Sequence, residues 1–263
     1  MALRDDHHPE LPADDEIRGL RRWNLVAMLA HGASAAGVLV IANDFSLPVN
    51  ASWSQGPPGA EDSWPVDQLF DVPLAYAAAT FALLSALAHL VALTVGRGRY
   101  ERDLARGINQ LRWVEYSISS TLMVVLIAQL VGIYDIAALL GIAGANASMI
   151  LFGWAFERHS LDRRARRERP DWSSYWFGCV AGAVPWIAIG TYLLGAPEVP
   201  GFVVGIFVSL FAFFNSFAIV MLLEYARIGP WRRVLVAERS YIVLSLTAKV
   251  ALTWQVAANV LLD

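Results

Sequence analysis

The chain has 263 residues, 57% of them hydrophobic and only 16% charged, and its net charge is −3. Soluble domains carry about 25% charged residues, so an ordinary soluble domain is excluded, and the slightly acidic balance gives no reason to expect a nucleic-acid partner. A single cysteine, Cys179, excludes an intrachain disulfide.

The leader, residues 1–12 with His7 and His8, is polar and reads as disordered, with no metal site expected. Seven apolar stretches follow at 23–45, 74–96, 111–134, 136–157, 175–195, 201–226 and 240–262. Each is long enough to cross a bilayer, which takes roughly 20 residues. The first is too long for a cleavable signal peptide and lacks an A-x-A-like site. The expected architecture is an all-α membrane protein, a bundle of seven transmembrane helices. Residues 1–22 form its cytoplasmic leader and 23–263 its single domain.

Between the first two stretches lies a loop, 46–73, of about 28 residues. It carries Pro48, Pro57, Pro58, Pro65 and Pro73, the acids Glu61, Asp62, Asp67 and Asp71, and Trp53 and Trp64. A loop this long is seldom structureless. The segments around the two tryptophans, separated by Gly56-Pro57-Pro58-Gly59, suit a short β-hairpin over the outer face.

The arginines fix the orientation. One face holds Arg4, Arg18, Arg21 and Arg22, then Arg97, Arg99, Arg102, Arg106 and Arg112. It also holds Arg158, Arg163, Arg164, Arg166, Arg167 and Arg169, and finally Arg227, Arg232, Arg233 and Arg239. The other face, with 46–73, Asp135, 196–200 and Asp263, has no arginine or lysine. The positive-inside rule puts the N-terminus in the cytoplasm and the C-terminus outside, in a multi-pass cell-membrane protein.

All the basic residues except Lys249 are arginines, and Lys249 sits within the last apolar stretch. A lysine at mid-bilayer depth costs about 2.5–3.5 kcal/mol and is by default a functional-site candidate. Unlike arginine, it can lose its proton when desolvated and condense with an aldehyde. Glu115 lies about 30 Å from the outer boundary and Lys249 about 21 Å from the outer end of its helix, at 1.5 Å per residue. The carboxylate therefore falls on the cytoplasmic side of the lysine nitrogen, within reach, and is the best-placed anion. Taken alone, Glu115 also reads as an interfacial partner of Arg112. Glu157 and Glu224 precede Arg158 and Arg227, and helix-end ion pairs are expected for both.

Small polar residues fall near this pair. Ser245 shares a helix face with Lys249, and Ser119 lies one turn after Glu115 beside Ser120 and Thr121. Their hydroxyls either orient an imine and its counterion or bond their own backbone. His31 and His89, within the first two stretches, read equally as packing residues or as a polar relay. Trp186, Phe211, Phe214 and Phe217 suit the walls of a site for a flat apolar ligand, but composition alone favours ordinary packing.

Seven helices with a lone lysine central in the seventh resemble a retinal-binding rhodopsin. Three runs resemble the heliorhodopsin family in particular. They are Ser240-Tyr241-Ile242-Val243-Leu244-Ser245-Leu246-Thr247-Ala248-Lys249, Arg112-Trp113-Val114-Glu115-Tyr116-Ser117-Ile118-Ser119-Ser120 and Phe213-Phe214-Asn215-Ser216-Phe217. The resemblance covers the whole chain in length and order. The cytoplasmic N-terminus agrees with that family's inverted orientation.

The resemblance implies all-trans retinal bound to Lys249 as a protonated Schiff base, with Glu115 as counterion. Ser245 stands where pumps carry a second carboxylate. Tyr116, Ser119, Met123, Met149, Gly153, Trp186, Phe214 and Met221 would surround the ligand. His31, His89, Ser85 and Asn109 would form a polar network near the Schiff base. It further implies a non-enzymatic light sensor without net ion transport and a homodimer in the bilayer, but no particular partner. The arginine-rich loops read equally as a contact for a cytoplasmic signalling partner or as residues that fix topology and touch anionic lipid.

The runner-up reading is a light-driven proton pump or channel. Pumps of related families hold a polar group eleven residues after the counterion, where this chain has Leu126. Beyond Lys249, Ala251, Leu252, Thr253, Val256 and Leu261 offer no ionisable path to the outer face. A third reading, a retinal-free transporter using Glu115 and Lys249, calls for broken helices or repeats, and neither is evident.

Overall fold

The computed structural model describes residues 7–57 and 64–261. The beginning of the leader with Arg4, the loop residues Pro58, Gly59, Glu61 and Asp62, and the terminal Asp263 lie outside the described residues. Among the described residues, seven helices are long and apolar enough to cross a membrane. They are α1 (Asp14–Val40), α2 (Leu74–Leu93), α4 (Gln110–Leu130), α5 (Ile136–Ala165), α6 (Ser173–Gly195), α7 (Gly201–Tyr225) and α8 (Val234–Val256). A short helix outside the spans, α3 (Arg97–Ala105), was not anticipated. The chain is a multi-pass membrane protein.

Hydropathy marks where a helix crosses lipid, not where it ends, and three helices outrun their apolar stretches. α1 begins at Asp14 with Asp14, Asp15 and Glu16 in its first turn, where negative charge complements the helix dipole. Its polar prefix is amphipathic: Ile17 and Leu20 are buried against Leu104 and Leu235. α5 continues to Ala165 and carries arginines in its last turn, again matching the dipole. α8 starts at Val234, and a π-helical turn, Ala257–Leu261, extends its far end. α3 is fastened to α1 by Glu101, which accepts from Arg21 at 2.9 Å and Arg97 at 3.1 Å.

Side-chain caps start two spans. Asn109 Oδ1 accepts from Arg112 N at the start of α4, and Asp135 accepts from Ala137 N and Ala138 N at the start of α5. Each satisfies an N–H left without an intrahelical acceptor. The spans form a ring in the order α1, α2, α4, α5, α6, α7, α8, and α8 closes onto α1. Between α1 and α2 the approach is close because α2 buries Ala75, Ala78, Ala79 and Ala82.

The expected hairpin is present. β1 (Ser46–Ser52) pairs antiparallel with β2 (Val66–Pro73), with a register shift between Val49 and Asn50. Leu47, Val49 and Ala51 alternate inward and are buried, while β2 is largely exposed. Asn50 N donates to Tyr134 O at 2.9 Å, anchoring the hairpin to the connection between α4 and α5, at the end of the bundle away from the arginines. Trp53 and Trp64 flank the turn, outside the strands, and both are exposed.

Two expectations need correction. The leader is not disordered throughout: His8 is buried, and Glu10 forms a parallel bridge with Arg233. Polar side chains find partners on the arginine-rich face, which composition does not reveal. Nor do Glu157 and Glu224 form the expected helix-end pairs. Glu157 pairs with Arg112, because Arg158, the next residue on the same helix, points to another side; Arg227 lies past the end of α7, in a turn at positive φ, and pairs with Glu10 instead of Glu224.

Candidate functional site

Lys249 and Glu115 meet inside the bundle. Lys249 Nζ donates to Glu115 Oε1 at 2.6 Å and to Ser85 Oγ at 2.5 Å. Ser85 Oγ in turn donates to Glu115 Oε1 at 2.6 Å. One hydroxyl from α2 thus joins a cation on α8 to an anion on α4. The pair is nearly dry, with side-chain exposures of 4% and 8%, and a charge so placed persists only with such a partner. The Tyr116 ring lies beneath the nitrogen, its centre 5.1 Å away, and its hydroxyl donates to Tyr241 O.

Lys249 opens onto a cavity of about 480 Å³, within the range of about 300–1,000 Å³ that holds small organic ligands. Of the residues expected there, Tyr116, Met123, Met149, Gly153, Trp186, Phe214, Met221 and Ser245 all line it. Phe211 and Phe217 do so as well, although Phe211 is also exposed on the outside of the bundle. Trp186 packs edge-on against Phe207, Phe211 and Phe214, with ring centres 5.3–5.7 Å apart. Gly153 admits the Trp113 ring: a Cβ there would stand 2.6 Å from it. Ser119 is fully buried but stands away from this wall, where Ser120 is found instead.

The polar network continues toward the arginine-rich face. The His31 and His89 rings stack with centres 5.8 Å apart, and His89 Nδ1 lies 2.8 Å from Asn24 Oδ1. Asn24 Nδ2 donates to Tyr100 OH at 3.1 Å, and Tyr100 OH donates to Glu238 Oε1 at 3.4 Å. Burial, with Glu238 adding to it, pushes the Tyr100 phenol well above its usual range, so it remains a donor. A second cavity of about 40 Å³ touches His89, Asn24, Tyr100, Asn109, Glu115 and Glu238 and is large enough for water.

Asn109 joins this network through Glu238, within a cluster at this end. Arg112 donates to Glu238 Oε2 at 2.6 Å and to Glu157 Oε1 at 2.7 Å. Trp113 Nε1 and Asn109 N both donate to Glu157 Oε2, and Asn109 Nδ2 donates to Glu238 Oε1. Arg112 is therefore committed away from Glu115, which leaves that carboxylate to Lys249. Glu238 and Asn24 escaped the sequence reading, although both carried a signal. Glu238, Ser245 and Lys249 recur at helical spacing on one face, as do Asn24 and His31.

These features define a seven-helix membrane protein with a buried amine–carboxylate pair beside an aromatic cavity. Solved structures share the fold, two of them over nearly the whole chain. The crystal structure of Exiguobacterium sibiricum rhodopsin matches with a TM-score of 0.63 and 17% identity, covering 97% of this chain and 99% of that one. A light-driven proton pump, LR (Mac), from Leptosphaeria maculans matches with a TM-score of 0.60 and 13% identity, covering 96% and 98%. No curated protein matches this chain. The heliorhodopsin sequence model matches residues 20–261, and the chain belongs to the heliorhodopsin family. It is accordingly a retinal protein of the photoreceptor type.

The residues present fit such a ligand. The cavity wall is apolar and aromatic, and Lys249 contributes an amine at it.

Proposed function

We propose that the protein is a light sensor in which Lys249 holds all-trans retinal as a protonated Schiff base and Glu115 is the counterion. The 2.6 Å contact between the chain's only lysine and Glu115, in the wall of an aromatic cavity, carries this reading. When bound, retinal supplies visible absorption and a light-driven change of double-bond geometry. Lys249 Nζ would hold the ligand covalently at its aldehyde carbon, since a desolvated lysine amine can make that bond. The Glu115 carboxylate then holds the proton on Nζ, because an opposite charge favours the charged form of a buried group. Ser85, bonded to both, fixes their geometry. Ser245 is neutral, so it adds no second anion beside the nitrogen. Trp186, Phe211 and Phe214 confine the apolar ligand between α6 and α7. The same reading makes the working unit a homodimer that signals through its arginine-rich connections to a cytoplasmic partner.

No sustained ion transport is expected. Leu126, at the position of the pumps' internal donor, is buried in an apolar core together with Leu252, Val256 and Leu261. Vesicles containing the pigment should show no light-driven pH change that a protonophore abolishes. A steady, protonophore-sensitive signal would instead support the pump reading.

We further propose a cytoplasmic N-terminus, from the confinement of all the arginines to one face. In intact cells, a tag after Asp263 should be accessible from outside and a tag before Met1 should not. The opposite labelling would overturn this orientation.

A further inference from the structure

Residues 8–11 cross the arginine-rich face and touch three of its connections. His8 is buried, and its Nε2 lies 2.7 Å from Glu168 O, between α5 and α6. Pro9 O accepts from Arg164 Nη2 at 2.6 Å, at the end of α5. Glu10 N donates to Arg232 O at 2.6 Å, and Glu10 O accepts from Val234 N at 3.0 Å, both on the connection between α7 and α8. The Glu10 carboxylate also pairs with Arg232 at 3.4 Å and Arg227 at 3.7 Å. Leu11 reaches the connection between α3 and α4: a Cβ on Gly107 would stand 2.9 Å from Leu11 Cδ2.

These anchor points surround the Arg112–Glu157–Glu238 cluster. Val234 stands one turn before Glu238 on α8, Arg164 shares α5 with Glu157, and Gly107 lies just before Asn109, which bonds both carboxylates. Val234 N belongs to the first turn of α8, where N–H groups have no acceptor within the helix, and Glu10 O supplies one. The α7–α8 connection also turns through Arg227 at a φ of 58°, an uncommon conformation for a residue other than glycine. Holding that turn calls for outside contacts, and Glu10 provides them.

We propose that residues 8–11 are a latch that clamps the α7–α8 connection to the α5–α6 connection and so controls water access to the buried Arg112–Glu157–Glu238 cluster. Closed, it orders the first turn of α8 and shields the Trp113 indole N–H, which donates to Glu157 at 2.7 Å. Released, it lets that turn fray and water reach the carboxylates. Arg112 and Trp113 also line the large cavity, so parent and variants are compared in the same ligand state.

Hydrogen–deuterium exchange on the full chain in lipid nanodiscs, in the dark, tests this. In the parent, the Val234 amide and the Trp113 indole N–H should both exchange slowly. Glu10→Pro deletes the N–H donated to Arg232 together with the carboxylate, and both sites should then exchange about tenfold faster or more. Each lost hydrogen bond contributes roughly a factor of two to ten. Glu10→Gln keeps the backbone bridge and should stay within about fivefold of the parent, because exposed ion pairs contribute little. If Val234 speeds up and Trp113 does not, the segment is only a brace and the gating role is refuted. A Val234 amide that already exchanges like a free loop in the parent would overturn the latch without any variant.

Discussion

Lys249→Ala is expected to fold and to remain colourless when supplied with all-trans retinal. The chain has no other lysine, so no side-chain amine is left to condense with the aldehyde. The ring of seven helices does not depend on this side chain, whose polar contacts are to Ser85 and Glu115 alone. Its loss leaves Glu115 buried without its cation, which costs about 3–5 kcal/mol if the carboxylate stays charged. Taking up a proton relieves most of that penalty. The variant should therefore elute as the parent does, with the same helical content, and show only the near-ultraviolet absorption of free retinal. Lys249→Arg should be equally colourless, since a guanidinium keeps its charge and does not form the imine. A visible band of normal yield in either variant would place the attachment elsewhere.

Glu115→Gln should change the colour almost as drastically while leaving the attachment intact. An opposite charge about 4 Å away at an effective dielectric of 20 is worth roughly 4 kcal/mol, about a thousandfold in proton affinity. Burial alone would favour the neutral imine. Without the carboxylate the band should either move to the near-ultraviolet at neutral pH or become dependent on added chloride as a substitute anion. Ser85 remains as a bonding partner, but a hydroxyl brings no charge. Glu157→Gln and Glu224→Gln should do much less, because Glu157 is engaged by Arg112, Trp113 and Asn109 away from the amine. If Glu115→Gln kept the parent spectrum and pH titration, the counterion would have to be another group.

Much of this arrangement was legible in the sequence because the bilayer enforces it. A charge inside an apolar stretch must find a partner, so Lys249 and Glu115 announce each other from separate helices. Helix periodicity then brings Ser245 and Tyr116 to the same region. The hairpin was legible from a loop too long to be structureless. What stayed hidden depended on direction rather than depth. Hydropathy places Glu157 at a helix end, but only the rotation of α5 decides that it faces Arg112, while Arg158 beside it on the same helix points elsewhere. Glu238 lies among arginines that mark it as surface, although its spacing from Lys249 puts it on the buried face of α8. The leader reads as a polar tail because its anchors are largely backbone groups of distant connections, which no side-chain pattern encodes.

The most direct measurement is borohydride reduction of the protein reconstituted with all-trans retinal, followed by peptide mapping. Reduction turns the imine into a stable secondary amine and records which nitrogen carried the ligand. The expected result is a retinyl adduct on the peptide that contains Lys249, formed in proportion to the visible band and absent from Lys249→Ala. An adduct confined to the N-terminal amine, or a coloured protein with no adduct on Lys249, would contradict the account.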